Sequence, residues 1–182
     1  MATLFTREKF GINLVGDKEL LRLFNTLPDK LQNRVMRGAV TKVARRMVKD
    51  MKDAVDTVGA VDTGALKKSI GFRVKTTRTG VIAVIGPRAA YRQAVTADKT
   101  GKLKAATKKR AATARQAGAK VTYRQPSRYA HLVELGTDHT RPKPFMRVGF
   151  RAGQDIGRAT LRHDILAGIQ REAAKLATGG RR

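Results

Sequence analysis

Cysteine and tryptophan are absent from this chain, acids are scarce, and no apolar run approaches the length of a membrane span. Without cysteine there is no disulfide and no thiolate metal site, so packing alone must hold the fold, and intracellular assembly is expected. A membrane-crossing helix needs about 18 or more consecutive apolar residues, and none follow one another here. The N-terminus Met1-Ala-Thr-Leu-Phe-Thr-Arg7 carries no apolar run of signal-peptide length either, so neither export by that route nor membrane insertion is expected. Against 14 Asp and Glu stand 39 Lys and Arg, a formal net charge of +25 and a pI near 11.4. A chain of 182 residues, 41% of them hydrophobic, can fill one ordinary core. It cannot bury that charge, which must meet polyanion, an acidic partner surface or a dense counterion cloud.

Residues 1–27 read as an N-terminal arm, with Leu20, Leu23, Phe24 and Leu27 at helical spacing; residues 28–176 read as a single domain, and 177–182 as a flexible tail. Pro28 stands at a favourable first helical position. After it Leu31, Val35, Ala39, Val43, Met47, Met51 and Val55 recur every four residues, which predicts a long helix with one apolar side. The opposite side carries Arg34, Arg37, Lys42, Arg45, Arg46 and Lys49, a solvated basic face. Asp62 or Thr63 is expected to cap a short turn, followed by Gly64 and an inward Leu66. Ile70, Phe72 and Val74 then alternate with Gly71, Arg73 and Lys75, and a turn at Thr77-Arg-Thr-Gly80 leads into Val81–Ile85. Val81, Ala83 and Ile85 line one face of that strand while Ile82 and Val84 line the other, so cover on both sides is expected. Either helices and another subunit supply the two covers, or the sheet has further strands.

Between Arg88 and Arg128 lie 12 Lys and Arg, 11 alanines and the single acid Asp98. From Lys102 to Ala117 Leu103 is the only large apolar side chain, so this inserted segment has no face to bury and is expected to be a disordered or loosely held arm. Lys102, Lys104, Lys108, Lys109, Arg110, Arg115, Lys120 and Arg124 are its candidate polyanion-binding residues, suited to phosphate oxygens without sequence preference. A solvated loop with no partner is the alternative. Beyond it, Tyr129, Leu132 and Val133 fall at helical spacing, and Gly136 is placed to end the turn in a left-handed conformation. Glu134, one of few acids, reads as an ion-pair partner rather than a base. Pro142 and Pro144 force an extended approach to a last helix, with Pro144 at its first position and Phe145 as its anchor. Val148, Ala152, Ile156, Leu161, Ile165, Ile169 and Leu176 continue its apolar side. Gly149, Gly153 and Gly157, spaced by four, each cost about 1 kcal/mol in a helix interior, which points to close approach by another helix or a sheet, or to a kink. The resulting architecture is α+β: two long helices packed on a small antiparallel β-sheet, with a basic inserted arm and flexible termini.

No catalytic constellation is present. His131, Asp138 and His139 lack the paired spacing of a structural metal site, and His163 beside Asp164 reads as a surface residue. The glycines at Gly80 and Gly86 have no phosphate-loop pattern around them. Asp50, Asp53 and Asp56 have no partner histidine. The expectation is therefore a protein that is not an enzyme and takes no metal or cofactor.

Three stretches, Asp62-Thr-Gly-Ala-Leu-Lys-Lys-Ser-Ile70, Tyr129-Ala-His-Leu-Val-Glu-Leu-Gly-Thr137 and Arg141-Pro-Lys-Pro-Phe-Met-Arg147, occur in this order. Together they resemble the neck, or tail-completion, proteins of long-tailed bacteriophages, over roughly residues 28 to 176. The resemblance implies a structural virion protein at the head–tail interface, assembled in the host cytoplasm, that completes the tail and joins it to the DNA-filled head. The partners it implies are further copies in a hexameric or dodecameric ring around the DNA channel, head-closure or connector proteins, and tail terminator or tail tube proteins. Genomic DNA in the channel is a further candidate, and no membrane is involved. Asp62, Thr63, Gly64, Leu66, Tyr129, Leu132, Glu134, Gly136, Pro144 and Phe145 then take structural or interface roles. A cellular nucleic-acid-binding protein of ribosomal or nucleoid type is the alternative; it fits the charge but gives no reason for the three ordered stretches. A nuclease or virion hydrolase lacks a usable acid cluster.

Overall fold

The computed structural model describes Arg22, Phe24, Asn25 and residues 27–77, 80–97 and 103–179. Expectations for residues 1–21 and 180–182, and for Leu23 and Lys102, lie outside them. Pro28 is the extended residue just before the first helix, one place earlier than expected (φ −56°, ψ 145°), and its carbonyl accepts the N–H bonds of Leu31 and Gln32. Helix α1 (Asp29–Thr57) follows. The four-residue period holds: Val35, Ala39, Val43, Met47, Met51 and Val55 are buried. Helix α2 (Ala65–Ser69), strand β1 (Ile70–Thr77) and strand β2 (Gly80–Pro87) come next. Strand β3 (Gln93–Ala97), strand β4 (Leu103–Ala105), helix α3 (Lys108–Gln116) and strand β5 (Val121–Arg124) build the basic segment. A 3-10 turn (Pro126–Arg128), helix α4 (Ala130–Leu135) and the 35-residue helix α5 (Phe145–Gly179) complete the chain.

The two long helices form the spine, and their seam explains the glycines. A Cβ at Gly149 would lie 2.5 Å from Met51 Cα, one at Gly153 2.5 Å from Asp50 Oδ2, and one at Gly168 2.6 Å from Val35 Cγ1. Partner numbers fall on α1 as they rise on α5, so the helices run antiparallel, and backbone meets backbone where no side chain intervenes. The glycine alignment is therefore close approach by another helix. It also corrects the expected apolar side of α5: the buried positions include Phe145, Gly149, Gly153, Gly157, Leu161, Ile165, Gly168 and Ile169, whereas Val148, Ala152 and Ile156 are exposed. In the first half of α5 the glycines face inward, Met146 and Phe150 pack partly buried against the clusters, and Val148, Ala152 and Ile156 look outward.

Two apolar clusters run along the spine. Leu27, Val35, Ala39, Val43 and Met47 meet Leu161, Ile165 and Ile169, with Phe24 packed against them. Met51, Ala54 and Val55 meet Leu66, Ile70, Ala130 and Phe145. Ile85 of β2 packs against both. β1 and β2 form an antiparallel ribbon of two strands in the register Phe72 to Ile85 and Val74 to Ala83, and among the described residues no third strand joins it. The expected double cover of β2 is only half present. The helices cover one face; on the other, Ile82 is 51% and Val84 61% exposed.

The basic segment departs furthest from expectation, because it is folded. β4, β3 and β5 form an antiparallel sheet in that order. Val95 is fully buried at its centre, and Ala111 of α3 is buried in the same small core. Thr107 caps α3, its Oγ1 accepting the N–H of Arg110 at 3.3 Å, and Gly118 (φ +75°) turns the chain back. Alanine lets this helix lie close without a large apolar side chain, which is why composition concealed it.

Candidate interface and anion site

The Asp62 turn, the basic segment and the Tyr129 stretch converge at one end of the spine. Neither Asp62 nor Thr63 caps α2, contrary to expectation: no side chain does, and Gly64 takes the left-handed conformation (φ +70°) just before it. Asp62 instead pairs with the Arg124 guanidinium at the end of β5, tying the basic segment to the Asp62 turn across 62 residues of sequence. A second tie is Arg88, whose backbone N–H and Nε both donate to the Ser69 carbonyl, at 3.0 and 3.3 Å. Within the segment Gln125 holds its two ends together, its Nε2 donating to the Ala89 carbonyl at 2.6 Å. Leu66 is buried as expected.

The Tyr129 stretch does two jobs. Ala130 is buried, and Val133 packs on the cluster around Phe145, which is itself fully buried. Glu134, expected as an ion-pair partner, acts as a cap, its two carboxylate oxygens accepting the N–H groups of Met146 at 2.8 Å and Arg147 at 3.0 Å. These are orphan donors in the first turn of α5, where a negative charge also opposes the positive end of the helix dipole. Pro144 lies just before the helix rather than in its first position, and it has no side-chain oxygen with which to cap. Gly136 has the expected positive φ (+80°) but with an extended ψ of 179°, a region essentially reserved for glycine. A Cβ there would stand 2.8 Å from the Thr140 carbonyl oxygen. Outward from this joint, Leu132 and Leu135 are exposed apolar side chains.

The candidate polyanion-binding residues are not gathered at one point. Lys108, Lys109 and Arg110 form the exposed first turn of α3, and Lys104 and Lys120 are exposed elsewhere on the segment. Arg115 lies over the Tyr123 ring, 5.4 Å from its centroid, and its Nη2 donates to the Tyr123 hydroxyl at 3.0 Å. Arg124 is engaged by Asp62. A cleft of about 420 Å³ nevertheless opens beside them, lined by Arg92, Tyr123, Arg124, Gln125, Arg128 and Tyr129. Arg92 and Arg128 carry little signal in the sequence beyond each standing next to a tyrosine, Tyr91 and Tyr129. Burial pushes the Tyr129 phenol above its ordinary 10.0, with Arg124 opposing.

At the α1–α5 seam Lys42 pairs with Asp164 at 2.7 Å and Arg46 with Asp50 at 3.1 Å. The Lys175 ammonium, hydrogen-bonded to Glu172 at 2.9 Å, holds that carboxyl below its ordinary 4.5, assisted by Arg34 and Arg171. Among the described residues no group of three His, Asp or Glu is placed to hold a metal, and no helix is long and apolar enough to cross a membrane.

The sequence profile of a family described as "Bacteriophage HK97-gp10, putative tail-component" matches residues 18–136, more than half of the chain. That span holds the Asp62 stretch, the basic segment and the Tyr129 stretch up to Gly136. No curated protein and no solved structure matches. By this match, which ends before α5, the chain belongs to the HK97-gp10-like family and is a structural component of the bacteriophage tail.

Proposed function

We propose that this tail component works at the neck, completing the tail and joining it to the DNA-filled head as one copy of a closed ring around the DNA channel. One observation carries the reading: Ile82 and Val84 form an uncovered apolar face on a two-strand ribbon whose other face is packed. A ribbon of two strands is marginal by itself and leaves both edges open, so a neighbouring copy is the natural second cover. Closed rotational symmetry, with six or twelve copies, satisfies every such face at once. Head-closure or connector proteins on one side and tail terminator or tube proteins on the other complete the set of partners. Charge supports the same position, because each copy adds +25 and a ring requires DNA or acidic neighbours to offset its self-repulsion. Lys108, Lys109 and Arg110 occupy the positive end of α3, where cations oppose the helix dipole and an anionic partner relieves them.

Sedimentation of a phage-producing lysate tests the proposal. After nuclease treatment the chain should travel with DNA-filled tailed particles in a small fixed ratio to the portal. The double variant Ile82→Glu/Val84→Glu, both changes on an exposed face, should fold but stay at the top of the gradient. Migration with ribosomes, or release by nuclease, would instead identify a cellular nucleic-acid-binding protein.

A further inference from the structure

We infer that the cleft between Arg92, Tyr123 and Arg128 is a nucleotide-binding site, taking a phosphate on its guanidinium groups and a base against the Tyr123 ring. Its volume of about 420 Å³ lies in the range of small-ligand sites and is far larger than a lone carboxylate needs. Three guanidinium groups line it, and only Arg124 is neutralised, by Asp62. Among the described residues neither Arg92 nor Arg128 has a carboxylate partner, so two planar forks suited to bidentate phosphate contact stand free at its rim. The third component is a ring. Tyr123 is 52% exposed, and Arg115 stacks on it, leaving a half-open aromatic platform of the kind on which bases stack without regard to sequence.

An acidic peptide would satisfy the guanidinium groups but leave that platform with nothing planar to hold. A duplex would offer phosphates but keep its bases stacked inside. The combination therefore favours an unpaired nucleotide, free or within a single strand. The cleft keeps this chemistry whichever ring the chain joins, so the assignment stands or falls separately from the neck reading.

Fluorescence anisotropy of the full-length protein with a labelled 12-nucleotide oligo-dT tests it. The variant Arg92→Ser/Arg128→Ser should weaken binding about tenfold or more, while Lys108→Ser/Lys109→Ser, which removes the same charge from α3, should weaken it clearly less. Arg92→Lys/Arg128→Lys keeps the charge but loses the forks and should fall between. Tyr123→Ala should lower affinity for the single strand about tenfold and leave that for a duplex of equal phosphate count unchanged. Competition separates the sources: dTMP displacing the probe at comparable concentration assigns a free nucleotide, and displacement only by unlabelled strand assigns a nucleotide within a strand. Equal losses from the two serine pairs, equal effects of Tyr123→Ala on single strand and duplex, or displacement by a Glu-rich peptide as effective as by the strand would each overturn the inference.

Discussion

The helical spine and the basic segment solve the same packing problem in opposite ways. On the spine, α1 brings bulk in Val35 and Met51, and α5 receives it with Gly168 and Gly149, so backbones approach until they touch. In the basic segment both partners are small: Ala111 lies over a sheet whose centre is Val95, and the rest of α3 is polar, basic or alanine. The first arrangement buries two continuous clusters; the second buries little and relies on ties to its surroundings at Asp62 and Ser69 and on an internal bond from Gln125 to Ala89. Stability is thus concentrated in the spine, while the basic segment, with 12 Lys and Arg against the single acid Asp98, carries the less balanced charge. A tail component that must keep its shape while presenting cations gains from that division.

The sharpest way to break this contrast is Gly149→Val. Its Cβ would stand 2.5 Å from the Met51 Cα, so the helices must separate along the whole seam, and the chain should lose about 3 kcal/mol or more in urea unfolding. Should the variant melt like the parent, the spine is not set by close approach. Ala111→Arg is the matching change in the other region. It should cost about 2 kcal/mol locally, open trypsin sites between residues 103 and 128, and leave the cooperative unfolding of the spine nearly in place; loss of the whole fold would show that the regions are one unit. Glu134→Ala comes next, at about 1 kcal/mol for a lost cap, read as a lower melting temperature with faster amide exchange confined to the first turn of α5.

The smallest effect concerns acid. Glu172 is held below its ordinary 4.5, so its contribution is fully present above about that pH and lost as pH falls through the lowered folded value. Glu172→Gln should therefore melt below the parent at pH 6, and the gap should close as both are acidified. A gap that persists at low pH would assign the effect to shape rather than charge.

How much of this was legible in the sequence follows the same division. The period of α1 and the glycine spacing on α5 are strong signals, because a long helix repeats its buried position many times. Val148 and Ile156 mislead for the same reason: their apolar period reads as the buried side, whereas glycine marks it. The basic segment hid its fold in composition. Thr107 before α3 and Gly118 after it are sound cap signals, yet among so many alanines nothing distinguishes Ala111 as the one that is buried. The Glu134 cap was unreadable for another reason, since a cap is sought next to its helix and this one reaches back from α4 across twelve and thirteen positions. Arg92, just before β3, likewise comes to the cleft beside Tyr123 only once β3 and β5 pair, and Arg128 reaches it through the 3-10 turn after β5.

The fit of side chains on α1 into glycines on α5 has a consequence for the ancestry of the protein. Positions 51 and 149, 50 and 153, and 35 and 168 are not six independent sites but three joint ones, each with bulk on α1 and vacancy on α5. A lineage that enlarges one member without shrinking the other passes through an unstable intermediate, so drift along this seam is confined to paired exchanges. Two relatives with unlike residues at these positions would be expected to have traded volume across the helices, and a chimera joining α1 of one to α5 of the other would fail although each parent folds.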